Sequence, residues 1–155
     1  MLRKFKTAAF VALAMIGIHF GAVAASNGTP DEAKAMVERA VKLLEAEGKD
    51  KAFAAFNDPA GKFVDRDLYV FVINHEGVTV SHGANKALIG KSLLAVKDTD
   101  GKMFIQEMID VAKGPGSGWV DYKWPNPTTK KVELKSSYIK KVGDVIVGVG
   151  IYKNS

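Results

Sequence analysis

From Pro30 to Gly48 the apolar residues recur at helical spacing. Ala33, Met36, Val37, Ala40, Val41, Leu43 and Leu44 share one side, while Lys34, Glu38, Arg39, Lys42 and Glu45 hold the other. This is the stripe of an amphipathic helix packed on a core. Thr29-Pro30-Asp31-Glu32 gives its start: a hydroxyl N-cap, proline at the first helical position and acids near the positive end of the dipole. Gly48 interrupts the pattern. A second, shorter helical stretch around Asp50–Phe56 carries Phe53 and Phe56, and Asp58-Pro59-Ala60-Gly61 ends it.

Beyond this point the period changes. Asp67–Asn74 is almost wholly apolar and rich in β-branched and aromatic residues, which predicts a central strand buried on both faces. His75-Glu76-Gly77 turns it into a second strand, Val78–His82. The segment from Gly83 to Gly114 leaves the sheet, with a short helical turn near Asn85–Leu88 and a firmer helix from about Lys102 to Ala112. Three strands then follow, at about 117–124, 132–141 and 145–152, joined at Pro125-Asn126-Pro127 and Val142-Gly143-Asp144. The order predicts an α+β domain: a long N-terminal helix packed on a five-stranded antiparallel sheet, with a helical crossover lying over the sheet and a pocket beneath it. No internal repeat or low-complexity tract interrupts it.

The first residues bear on compartment. Arg3, Lys4 and Lys6 precede an apolar run from Thr7 to about Val23, and Ala22-Val23-Ala24 is a small-x-small site before Ala25. Residues 1–24 are expected to be a cleaved secretory signal peptide, and 25–155 a single periplasmic or secreted domain; retention of the run as a membrane anchor is the alternative. A mature chain of about 130 residues is enough for one core and too small for two.

Charge then looks different. Of 22 basic and 17 acidic residues, the leader takes three basic and no acidic ones, leaving 19 against 17. A near-neutral domain offers little attraction to nucleic acid, and Lys130-Lys131 and Lys140-Lys141 read as solvated hairpin ends. The chain has no cysteine, which excludes disulfides, thiolate zinc or iron–sulfur sites and thioether-attached haem.

Both tryptophans and three of the four tyrosines fall between Trp119 and Tyr152. Trp119, Tyr122, Trp124, Tyr138 and Tyr152 on strands suit the walls of a small-molecule pocket, and suit a core equally well. No arrangement for catalysis stands at recognisable spacing: there is no Gly-x-Ser-x-Gly elbow, no His-Glu-x-x-His and no phosphate loop. Gly114-Pro115-Gly116-Ser117-Gly118 leads into a strand rather than a helix. His75 and His82 lack a third metal ligand at motif spacing, and Asp98-x-Asp100-Gly101 lacks the glutamate of a calcium loop, Ile109 standing at its twelfth position. The expectation is a non-enzyme with no cofactor and no metal.

The ordered stations Asp67-Leu-Tyr-Val-Phe, Ser81-His-Gly-Ala-Asn, Leu88-Ile-Gly-Lys, Gly118-Trp-Val-Asp-Tyr-Lys-Trp-Pro, Lys135-Ser-Ser-Tyr and Gly150-Ile-Tyr resemble a single Cache domain, the extracytoplasmic PAS-like sensor module. The resemblance covers nearly all of residues 25–155. It implies a ligand-sensing domain holding a small organic molecule, often a short carboxylate, on the sheet beneath the middle segment. Such domains usually sit in chemoreceptors or sensor kinases; this chain ends three residues after its last strand, so a soluble binding protein that presents its ligand to a membrane receptor or sensor kinase is the expectation. The alternative is an interaction module, dimerising weakly through its N-terminal helix and holding no small ligand.

A carboxylate taken from water needs a cation or several donors. The candidates are Lys135, His82, the hydroxyls of Tyr122, Tyr138 and Tyr152, and the indole N–H groups of Trp119 and Trp124. Strand parity puts Tyr122 and Trp124 on one face and Trp119 on the other, and separates Tyr138 from Lys135. Two registers of the hairpin remain open: Asp121 opposite Lys135, an ordinary cross-strand ion pair, or Tyr122 opposite Lys135, a carboxylate clamp.

Overall fold

The structure is a computed structural model, and it describes residues 27–153. The expected signal segment lies outside the described residues. Helix α1 runs from Pro30 to Phe56 and opens with the capping box that the sequence suggests: the Thr29 hydroxyl accepts from the Glu32 N–H, and the Glu32 carboxylate accepts from the Thr29 N–H at 2.8 Å. Such a cap stabilises a helix start by about 1 kcal/mol. At Gly48 the backbone leaves the helical region (φ 79°, ψ 173°), a conformation that glycine adopts without a Cβ clash, so α1 is two helical segments around a break.

The strands are β1 (Val64–Asp65), β2 (Leu68–Asn74), β3 (Thr79–His82), β4 (Ser117–Pro125), β5 (Val132–Val142) and β6 (Val145–Tyr152). A 3₁₀ turn (Lys86–Leu88) and helix α2 (Phe104–Lys113) lie between β3 and β4. The sheet has six strands in the order β1-β2-β6-β5-β4, with β3 also on β2, and every pairing is antiparallel. The sequence predicts five strands. The sixth is the two-residue β1, too short to show a period of two.

Alternation along the buried strands divides two cores. Leu68, Val70 and Val72 of β2 and Val145, Val147, Val149 and Ile151 of β6 face the buried stripe of α1, with Phe56 and Phe63 closing the end. Tyr69, Phe71 and Ile73, with Ile139, Ile146, Val120, Tyr122 and Tyr152, face α2 through Phe104, Ile105, Met108 and Ile109. Each fully buried aliphatic side chain contributes roughly 1.5–3 kcal/mol, so both layers are needed to hold the sheet. The start of α1 is tied to β2 by Asp67, which is fully buried and accepts the Gly28 N–H at 2.6 Å.

Asp98 ties the crossover to the sheet. Its carboxylate accepts the N–H of Lys123 on β4 at 2.9 Å and those of Lys102 and Asp100 at 2.9 Å each, and these bonds, that of Lys123 foremost, lower its pKa. This accounts for the Asp-x-Asp-Gly pattern as a turn ahead of α2. Among the described residues no helix is long and apolar enough to cross a membrane.

Candidate functional site

Register decides the site. In the β4–β5 hairpin Tyr122 pairs with Lys135 and Trp124 with Glu133, the second of the two alignments left open by the sequence. Lys135 in turn lies opposite Tyr152 on β6. Tyr122, Lys135 and Tyr152 thus form a row across the α2 face, one residue from each of three adjacent strands. The lysine stem lies across β6, because a Cβ at Gly150 would collide with Lys135 Cε and Ser137 Oγ. Glycine is required there for close approach, as it is at Gly148, over which the Phe71 ring lies.

The Lys135 ammonium position is almost wholly enclosed, with 1% of the residue exposed. Nζ donates to the Tyr69 hydroxyl at 2.6 Å and stands 4.0, 4.9 and 5.7 Å from the ring centres of Tyr69, Tyr152 and Phe71. No carboxylate of the described residues makes an ion pair with it, and burial holds its pKa well below the ordinary lysine value, against a smaller opposing pull from Asp67. An unpaired buried ammonium costs several kcal/mol; aromatic faces offset roughly 0.5–2 kcal/mol of that.

The hydroxyl network has a direction. Tyr152 donates to the Pro125 carbonyl at 2.8 Å, so Tyr69 donates to the Tyr152 oxygen at 3.2 Å, while accepting from Lys135. Burial raises the Tyr69 hydroxyl to about 12 and pushes Tyr152 and Tyr122 up as well, so all three stay neutral donors. Tyr122 bonds Ser137 at 3.0 Å, and its ring stacks on Phe104 of α2 at 4.5 Å.

His82, at the end of β3, packs its ring on Tyr69 at 4.9 Å. Nδ1 accepts the N–H of Asn85 at 2.9 Å and of Ala84 at 3.3 Å, so in the neutral ring the proton resides on Nε2. Burial lowers the imidazole to about 3. His82 is a neutral donor at physiological pH.

These groups surround a small cavity. Tyr69, Phe71, Thr79, Leu93, Ile105, Met108 and Trp124 line it together with Lys135, His82, Tyr122, Phe104 and Ile73, and its volume is about 20 Å³, room for one water molecule. The Thr79 hydroxyl on its wall is buried without a hydrogen-bond partner. Tyr69, His82 and Trp124 also line a vestibule of about 450 Å³ that continues over Asn85, Leu88, Pro125 and Lys130 to the surface. The three side chains therefore form the partition between the cavity and solvent.

Of the seven residues proposed from sequence, the fold brings Lys135, Tyr122, Trp124 and His82 together around the cavity, with Tyr152 behind them in the hydroxyl network. Trp119 and Tyr138 are on the opposite face. Their rings pack together at 5.4 Å under Lys34 of α1, and neither lines this cavity. Sequence patterning does not single out the other lining residues, Tyr69, Phe71, Ile73, Thr79, Leu93, Phe104, Ile105 and Met108. Tyr69 was detectable: it is the one hydroxyl-bearing side chain in Leu68–Asn74.

Residues 2–155 match the Single Cache domain 2 family. The methyl-accepting chemotaxis protein McpP of Pseudomonas putida is 33% identical over 90 residues, 57% of this chain and 16% of its own length. The sensor histidine kinase MctS of Rhizobium johnstonii is 33% identical over 89 residues, 56% of this chain and 19% of its own. The chain thus spans less than a fifth of either relative. Among solved structures, a periplasmic sensor domain of a chemotaxis protein aligns with a TM-score of 0.65 at 28% identity, over 80% of this chain and 90% of that one.

Proposed function

The chain belongs to the single Cache domain family, and from that premise we propose that it is an extracytoplasmic ligand-binding sensor module whose ligand is a short monocarboxylate seated on Lys135. Its two matched curated relatives are a chemotaxis receptor and a sensor kinase, so the partner in this reading is a membrane signalling protein of one of those kinds. The observation that carries the reading is Lys135 itself. A fully buried amine with no carboxylate partner, at the floor of an apolar cavity, needs an anion to complete it.

The remaining groups define what kind of anion. Lys135 is the one amine on the cavity wall, and the polar groups beside it are neutral: the His82 imidazole, the Trp124 indole and the hydroxyls of Tyr69, Tyr122 and Thr79. One carboxylate is therefore neutralised and a second would not be. Phe71, Ile73, Leu93, Phe104, Ile105 and Met108 surround the rest of the space and suit a short hydrocarbon tail. A volume of about 20 Å³ is too small for such a guest, so its binding requires α2 and the segment carrying Leu93 to move away from the sheet, with access past Trp124 and His82.

Titration calorimetry of the domain with acetate, propionate, succinate and glycine tests the proposal. Saturable binding of the monocarboxylates, with dicarboxylates and amino acids at least about tenfold weaker, is expected, since a second charge would be buried unpaired. Preference for succinate or glycine would overturn it.

A further inference from the structure

Resting on the monocarboxylate reading, we infer that this site binds its ligand together with a proton, so that the domain reports carboxylate and acidity jointly.

The geometry supplies the reason. Lys135 Nζ has one hydrogen-bond partner, the neutral Tyr69 hydroxyl, and no ion-pair partner among the described residues. The groups facing it from each packed element offer no negative charge: Tyr69 and Phe71 from β2, His82 from β3, Tyr122 from β4, Tyr152 from β6, Phe104, Ile105 and Met108 from α2, and Leu93 from the crossover. Ser137 beside it is occupied with Tyr122. Glu133, on the same face of β5, is held by Asn126 and Thr129 at the surface. Asp67, fully buried at the head of β2, is the one carboxylate whose charge opposes the lowering of the Lys135 pKa; one of its oxygens accepts the Gly28 N–H, the other has no hydrogen-bond partner, and it makes no ion pair with Nζ. Before a carboxylate arrives, the enclosed amine is therefore best accommodated neutral, and burial lowers its pKa accordingly.

A bound carboxylate reverses the balance. With an anion within hydrogen-bond distance, the ammonium form gains a charge-assisted partner in a low-dielectric site, while the aromatic faces of Tyr69, Tyr152 and Phe71 favour the same form. One proton passes from solvent to Nζ for each carboxylate that enters as its anion, and the net species taken up is the neutral acid. Linkage then fixes the sign: above the pKa of Lys135 in the free protein and below that in the complex, affinity falls about tenfold for each unit rise in pH.

Calorimetry with propionate between about pH 6 and pH 8 in phosphate, repeated in Tris at the upper end of that range, tests this, because the two buffers release a proton with different heats. The expected result is a buffer-dependent heat corresponding to uptake of about one proton, with Kd rising about tenfold per pH unit. Propionate binding with a flat Kd and no buffer dependence would overturn the inference and leave the monocarboxylate reading in place. No binding of any monocarboxylate across the range would overturn both. A second measurement does not depend on heats: in ¹³C-lysine-labelled protein, the Cε signal lost in Lys135→Met should be that of a neutral amine near neutral pH and shift to that of an ammonium on adding propionate. An ammonium signal before addition would refute the coupling.

Discussion

Lys135 Nζ lies 2.6 Å from the Tyr69 hydroxyl, and this contact between the fourth residue of β5 and the second of β2 spans an intervening strand, β6. It exists because Gly150 of β6 leaves the path open. Replacing Lys135 by Met keeps the stem and removes the amine. Propionate affinity is expected to fall by at least about a hundredfold, while the thermal midpoint stays equal or rises, since an unpaired buried polar group is lost. Calorimetry and a melting curve on the same sample check both halves.

Gly150→Ala tests the path rather than the charge. The new methyl group meets Lys135 Cε and Ser137 Oγ, so the lysine must leave its place over β6. Overpacking of this kind costs about 1–3 kcal/mol, and propionate binding should weaken by at least about tenfold although every polar group is retained. A stability loss with unchanged affinity would show that Lys135 reaches the ligand by another route.

Tail length should be adjustable through α2. Met108 is fully buried on the cavity wall, and Met108→Ala lengthens the space available to an apolar guest. The variant is expected to lose about 2–5 kcal/mol of stability and to shift preference from propionate toward butanoate and pentanoate by up to about fourfold per added methylene. Relative Kd values across the homologous acids read it out.

Trp119 and Tyr138 provide the opposite control. Both lie on the α1 face, so Trp119→Ala and Tyr138→Ala should lower stability by about 2–4 kcal/mol and leave the propionate Kd within about threefold. An affinity loss comparable with that of Gly150→Ala would return these two residues to the binding site.

His82 has a pH signature. Its pKa is about 3 in the folded chain against 6.5 as reference, so the unfolded state binds the proton first as pH falls. The contribution to stability is present above 6.5 and lost on the way down to about 3, with a slope of at most about 1.4 kcal/mol per pH unit. His82→Asn keeps an acceptor for the Ala84 and Asn85 N–H groups. Its melting temperature should therefore fall less steeply than that of the parent over that range.

The elements and their faces were legible in local pattern. Apolar spacing in Ala33–Leu44, the capping residues Thr29–Glu32, the break at Gly48 and the unbroken apolar run Leu68–Ile73 are local signals, because a helix or strand periodicity is set by neighbours a few residues away. The same parity separated Tyr122 and Trp124 from Trp119, and Lys135 from Tyr138. The remainder depends on how the elements assemble. Which residue of β4 stands opposite Lys135 depends on a register that slips by one residue at no cost to local pattern, so Tyr122 rather than Asp121 emerged only from the assembled sheet. The contribution of Tyr69 and Phe71 was hidden because β2 is apolar on both faces, and that of Phe104, Ile105 and Met108 because an amphipathic helix does not state which surface it covers. The neutral state of His82 and the burial of Lys135 are likewise consequences of enclosure, a property of the packed chain and of no single segment.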